Sequence, residues 1–183
     1  MARRIAYVEP PGVTLEDVAR HCRIEPEDLE KPLIEGVIIP GVIAQAEERT
    51  GAAIRPAEYV EEWPESYGSG HPLDVGQAAQ VLEVAQLQAD GSALPLTVAT
   101  RLEQGQRESF LHFPAGRPPG RLQIRYRGGL DLDAHPSVRL WLLMHAATAN
   151  ENRETLVVGT ILTQLPATYL DSMLSEITVP PRF

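Results

Sequence analysis

Ser137 to Glu154 reads SVRLWLLMHAATANENRE. Pro136, just before it, suits the first turn of a helix, where the N–H that proline lacks has no intrahelical acceptor. Val138, Leu140, Trp141, Leu142, Leu143 and Met144 then leave almost no polar face for two turns. A helix apolar on all sides must be covered on all sides, by its own domain or by neighbouring subunits. Asn150, Glu151, Asn152, Arg153 and Glu154 turn the far end polar and wet. A second apolar stretch, Leu165 to Leu174 (LPATYLDSML), follows, and a short tail closes the sequence.

The 183 residues suit one domain, or one with an inserted subdomain, and suffice for a real core. Hydrophobic residues make up 43% and charged residues 22%, the balance of a globular protein. No apolar run approaches the ~20 residues of a membrane span. MARRIAYVEPPG has two arginines but no apolar core, so no secretory signal is expected. Cys22 stands alone, which excludes an internal disulfide and a cysteine-based metal cluster. The formal charge is −9, with 14 acidic against 7 basic residues up to Glu65 and 11 against 9 beyond it. That balance argues against a broad nucleic-acid-binding surface. All basic residues but Lys31 are arginine, which fits either planar interface contacts or a GC-rich coding sequence.

Thr14 before Leu15, Glu16 and Asp17 reads as a capped helix start, with a short helix expected over 15–22. His21 and Cys22 are adjacent, so on a helix they point about 100° apart and cannot act as a pair. A longer helix is expected over 29–49, kinked at Pro40 and ended by Thr50-Gly51. The acidic run Glu25, Glu27, Asp28, Glu30 reads as a solvated loop or as a patch on a channel wall or partner surface. From Ile54 to Gly129 the pattern changes to short alternating runs broken by Pro and Gly. Strands are expected over 58–63, 79–88, 94–100, 109–113 and 121–127, with a hairpin at Ala89-Asp90-Gly91-Ser92 and an edge position at Pro95. In the last strand Leu122, Ile124 and Tyr126 share one face, and Arg121, Gln123, Arg125 and Arg127 the other. Those arginines form either a solvated face or a docking stripe for an acidic partner. Residues 63–72 and 115–120 read as loops.

Asp131, Asp133 and His135 have a spacing that could offer ligands to a metal, but no fourth ligand is recognisable and the segment also reads as a loop before a helix. Gly128-Gly129 lacks the spacing of a phosphate cradle. His145 reads as a core or interface histidine. No catalytic motif is present, and no cofactor or metal is expected.

The order of these pieces is informative as a whole. Thr14-Leu15-Glu16 opens a helix, Glu48-Arg49-Thr50-Gly51 closes the next, a strand-rich middle follows, and Glu151-Asn152-Arg153-Glu154 and Leu165-Pro166 precede Leu174. From Thr14 to Leu174 this resembles the head–tail connector (adaptor) proteins of long-tailed phages and gene transfer agents. Pro40 departs from that pattern, in which the long helix lacks an interior proline. The resemblance implies a non-catalytic virion protein in the neck of the particle, assembled in host cytoplasm as a ring, expected twelvefold, beneath the portal protein. Such a ring extends the DNA channel, lets genomic DNA pass without tight binding, and presents a platform for the stopper or tail-completion protein. The family commonly sends its C-terminal segment into the portal; here that is Ile177-Thr178-Val179-Pro180-Pro181-Arg182-Phe183. It is expected to be mobile alone, stiffened by its prolines. Trp141, Met144, Glu151 and Arg153 are the candidates for contacts between subunits, and Arg121, Arg125 and Arg127 for partner docking.

The expected fold is therefore α+β. One connector domain spans 1–183, with a helical bundle from 14–51 and 136–176 (two N-terminal and two C-terminal helices), a β-rich insertion over 54–129 and an extended tail over 177–183. The alternatives are a stopper or tail-completion protein at the same joint, a small metal-dependent enzyme using Asp131, Asp133 and His135, and a soluble binding module.

Overall fold

A computed structural model describes residues 2–152 and 167–181. The fold is α+β, helices with antiparallel sheets, and the chain divides into two compact units. A β unit comprises Met1–Pro10, Gly51–Leu130 and Ile177–Phe183; a helical unit comprises Pro11–Thr50 and Asp131–Glu176.

In the β unit the strands are β1 (Arg3–Tyr7), β2 (Ala57–Trp63), β3 (His71–Pro72), β4 (Ala78–Leu87), β5 (Ala93–Pro95), β6 (Arg101–Gln104), β7 (Ser109–His112) and β8 (Leu122–Gly128). They form a five-stranded sheet in the order β1-β2-β8-β4-β5 and a three-stranded sheet in the order β3-β7-β6. Alternation sets the buried face. Ala57, Tyr59, Glu61 and Trp63 of β2 lie inward in register with Gly128, Tyr126, Ile124 and Leu122 of β8. Leu73, Leu111 and Phe113 join that core. The expected hairpin forms between β4 and β5: Gly91 takes φ +84°, and Asp90 accepts from the Ser92 N–H at 2.9 Å. Pro95 lies on an edge strand as expected, but that strand is three residues long rather than seven. β1, β3 and β6 were not legible as strands. Gly129 lies so close to Pro56 that a Cβ there would come within 2.8 Å, so this glycine serves chain packing.

The helical unit contains α1 (Leu15–Cys22), α2 (Lys31–Leu33), α3 (Ile39–Thr50), α4 (Pro136–Glu151) and α5 (Ala167–Leu174). Thr14 and Asp17 cap each other's backbone N–H in a reciprocal box, and Arg23 ends α1 in the left-handed conformation (φ 60°). The predicted kink in the second long helix takes a specific form. Between α2 and α3, Ile34–Ile38 winds as a π turn, with the Ile39 N–H bonded to the Ile34 carbonyl. Widening the ladder just before Pro40 relieves the ring's clash with the carbonyl four residues back. α4 packs against α1, α3 and α5, burying Val138, Trp141, Leu142 and Ala146. Its expected extension through Arg153 and Glu154 lies outside the described residues, as do Leu165 and Pro166.

Candidate assembly surfaces

On the outer face of the five-stranded sheet the arginines of β8, and Arg121 just before it, meet the glutamates of β2. Arg125 and Arg127 both reach Glu58, at 2.6 and 2.9 Å, and Arg121 reaches Glu62 at 2.6 Å. The stripe read from sequence as solvated, or as a docking surface, is thus already engaged by its neighbouring strand. The two arginine hydrogen bonds hold the Glu58 carboxyl below the usual range for glutamate.

Beneath that face lies a carboxylate that sequence reasoning overlooked. Glu61 is buried among apolar side chains. Its Oε1 accepts from the Trp63 indole N–H at 2.5 Å, and its Oε2 from the Asp74 N–H at 3.0 Å and the Tyr126 hydroxyl at 2.9 Å. Burial pushes the Glu61 carboxyl up, against the pull of these donors; burial beside Glu61 pushes the Tyr126 phenol well up too. The clue in the sequence was strand parity, because Glu61 shares a face with Tyr59 and Trp63.

The helical unit carries the charge. Its 15 acidic residues face 6 basic ones, a net of −9, whereas 10 and 10 cancel in the β unit. The acidic run of the sequence is an exposed stretch, with Glu25, Glu27, Asp28 and Glu30 around a 3-10 turn at Pro26–Asp28. Apolar groups break this surface at Leu140 (39% exposed), Val37 and Ile24. On α4 the exposed large apolar side chain is Leu140, one of the residues of the apolar stretch read from sequence. Trp141 is fully buried, stacked on His145 at 3.6 Å, which removes it as a surface contact between subunits. Met144 is half-buried and Glu151 exposed. His145, read from sequence as a core or interface histidine, is half-buried, with Nδ1 2.9 Å from the Trp141 carbonyl oxygen.

The candidate metal ligands point elsewhere. Asp131 accepts from the Asp133 N–H, Asp133 pairs with Arg139 at 2.6 Å, and His135 lies 3.4 Å from Glu176. Among the described residues no three His, Cys, Asp or Glu side chains converge on a point. Also among them, no helix is long and apolar enough to cross a membrane.

The C-terminal segment differs from expectation at its start. Ile177 is fully buried, and Val179 lies against Gly51 and Gly76, 2.9 Å from where a Cβ on Gly76 would sit. Those two glycines are joined by the Gly76 N–H to Gly51 carbonyl bond at 3.1 Å. A tail mobile from Ile177 is therefore corrected to one seated through Val179, with Pro180 and Pro181 exposed. Packing holds it, since neither buried Ile177 nor half-buried Val179 could be released without exposing apolar surface. Arg182 and Phe183 lie outside the described residues.

This arrangement defines a two-unit α+β fold. The same fold recurs in solved chains of gene transfer agent particles. One, in the virion of a native gene transfer agent particle, superposes with a TM-score of 0.76 at 16% identity, covering 100% of this chain and 97% of that one. A second, in the neck of an empty particle computed with C6 symmetry, gives 0.73 at 16% over the same shares. A third, in the neck of a native particle computed with C12 symmetry, gives 0.69 at 18%, again over 100% and 97%. No family model and no curated protein matches the sequence.

Proposed function

We propose that this protein is a structural component of the neck of a tailed phage or phage-like particle, an adaptor that joins head to tail without catalysis. The observation that carries the reading is end-to-end agreement with the fold of chains from gene transfer agent particles and necks, both units included. The C12 and C6 symmetry of those necks supports a ring of identical subunits. In this role the ring sits beneath the portal protein, extends the DNA channel and offers a platform to a stopper or tail-completion protein. An excess of negative charge on the helical unit repels phosphate, which lets DNA slide rather than stick.

The tail, Ile177 to Phe183, is the portal-binding element of this reading, now in two parts. Ile177, Thr178 and Val179 hold it to the subunit; Pro180, Pro181, Arg182 and Phe183 reach the portal. Arg121, Arg125 and Arg127 become a docking stripe only if a partner's carboxylates replace Glu58 and Glu62. The test is the mass of the purified protein in solution, alone and mixed with its portal. A monomer or small oligomer that becomes a ring on the portal is expected. A monomer that ignores the portal would refute the adaptor role.

A further inference from the structure

We infer that Glu61 is the positioning residue of the C-terminal tail: from inside the five-stranded sheet it fixes the 74–76 segment on which Val179 is seated. The seat lies within the β unit; only its use in presenting the tail to a portal rests on the proposed function.

The segment 73–77 joins β3 to β4 and is not itself a strand. Leu73 and Gly76 are buried and the residues between them half-buried, so the backbone N–H groups need acceptors other than water. Leu73 donates to the Ser109 carbonyl at 2.8 Å. Asp74 donates to Glu61 Oε2 at 3.0 Å. Val75 donates to the Tyr126 hydroxyl, which itself donates to Glu61 at 2.9 Å. Two consecutive links of the segment therefore end on one carboxylate.

Gly76 comes next, and it has no slack. Its N–H bonds the Gly51 carbonyl at 3.1 Å, and its carbonyl accepts from Ala53 at 3.2 Å. A Cβ there would lie 2.5 Å from the Arg107 carbonyl oxygen and 2.9 Å from a Val179 methyl. The far end of the segment is held separately: Gln77, at φ 67°, bonds the Gln106 carbonyl through its side chain at 3.2 Å. A shift of the 74–75 backbone is therefore passed to Gly76 and from there to Val179, because close-packed groups transmit strain.

The partners of the Glu61 carboxyl, namely the Trp63 indole, the Asp74 N–H and the Tyr126 hydroxyl, are all donors. That set matches the ionised form, whose oxygens accept and offer no hydrogen. Protonation sets a hydrogen among donors and loosens the hold on 74 and 75. Burial and bonding act oppositely here: burial favours the neutral carboxyl, and the donors favour the charged one. Asp74 is the charged neighbour, and it too disfavours the ionised form. Tyr126 of β8 is stacked on Tyr59 of β2, and His71 of β3 lies across Trp63 with ring centroids 5.3 Å apart.

Valine-methyl NMR of the full chain reads the seat without a portal. In the unmutated protein the Val179 methyls should show cross-relaxation to the α protons of Gly51 and Gly76. In Glu61→Gln the unseated population should rise roughly tenfold or more, as for loss of a hydrogen bond to a charged group. Val84→Ala, a core truncation on β4 that removes none of these bonds, should leave the tail seated. On acidification the unmutated protein should unseat Val179 in step with the Glu61 carboxyl carbon shift. That step should be absent from Glu61→Gln, in which Asp74 and His71 remain. Should Glu61→Gln not fold, Tyr126→Phe and the titration of the unmutated protein carry the same test. A tail still seated in these variants, loosened equally by Val84→Ala, or unseated by acid out of step with Glu61 would overturn the inference. If native rings form on the portal and Glu61→Gln keeps Val179 seated, the positioning role fails while the neck reading stands. If Glu61→Gln unseats the tail and the native protein ignores the portal, the positioning role stands and the neck reading fails.

Discussion

Removing one hydroxyl from the β unit probes the contribution of its buried carboxylate. In Tyr126→Phe the ring keeps its place in the core, including its stacking on Tyr59 at 5.7 Å, and the hydroxyl's 2.9 Å hydrogen bond to Glu61 is lost together with its hydrogen bond to the Val75 backbone. A hydrogen bond to a charged group contributes roughly 1.5–3 kcal/mol, and a neutral one about 1 kcal/mol. At pH values where Glu61 is ionised, the loss should be ~2 kcal/mol, or roughly 4–8 °C in melting temperature for a chain of this size. The pH dependence follows from the direction of the shift. Burial raises the Glu61 carboxyl, so its protonated form is favoured in the folded state, and stability from that source is lost as pH rises through the folded value. The Tyr126 hydroxyl supports the ionised form. Its removal raises Glu61 further, so the penalty is largest above that value and shrinks as pH falls through it. The measurement is urea unfolding across pH in a Trp141→Phe background, where Trp63 is the remaining indole and itself donates to Glu61. A penalty that is absent, or that grows toward acid, would refute the assignment of Glu61 as a buried, charge-accepting centre.

Thr14→Ala should lower stability by about 1 kcal/mol by opening the reciprocal cap of α1, while Thr14→Ser should not; helix content and urea midpoint check both. Ile177→Ala should cost ~2–5 kcal/mol because the residue is fully buried, whereas ending the chain after Val179 should leave the urea midpoint unchanged and abolish portal binding. Glu58→Gln should release Arg125 and Arg127 with a smaller loss than Tyr126→Phe. That loss should fade as pH falls through the depressed Glu58 value, where the native carboxylate is itself neutralised. Gly129→Val should lower stability by roughly 1–3 kcal/mol through overpacking against Pro56, read from the urea midpoint.

Local chemistry made much of the fold readable. Thr14 and Asp17 specify their own cap, the DGS turn specifies the β4–β5 hairpin, and alternation in Leu122 to Arg127 gives the core face of β8. β1 was not readable, since RRIAY has no long alternation of its own and becomes a strand by pairing with β2. β3 and β6 are two and four residues long and exist for the same reason. Trp141 and Glu61 show the same limit at single residues. An apolar helix does not announce which of its faces meets its own domain. An acid in a strand does not announce that Trp63, Asp74 and Tyr126 will gather around it.

What the sequence by itself determined is the set of elements fixed by nearest neighbours in the chain: caps, turns, helix periods, the face of each long strand, and the total charge. Folding determined the rest. It sorted that charge, leaving −9 on the helical unit and none on the β unit. It seated Ile177 and Val179, leaving the tail to emerge at Pro180, and turned the β8 arginines from a free stripe into a lattice with β2. These outcomes depend on residues dozens of positions apart meeting in space, and burial and charge pairing are properties of that meeting.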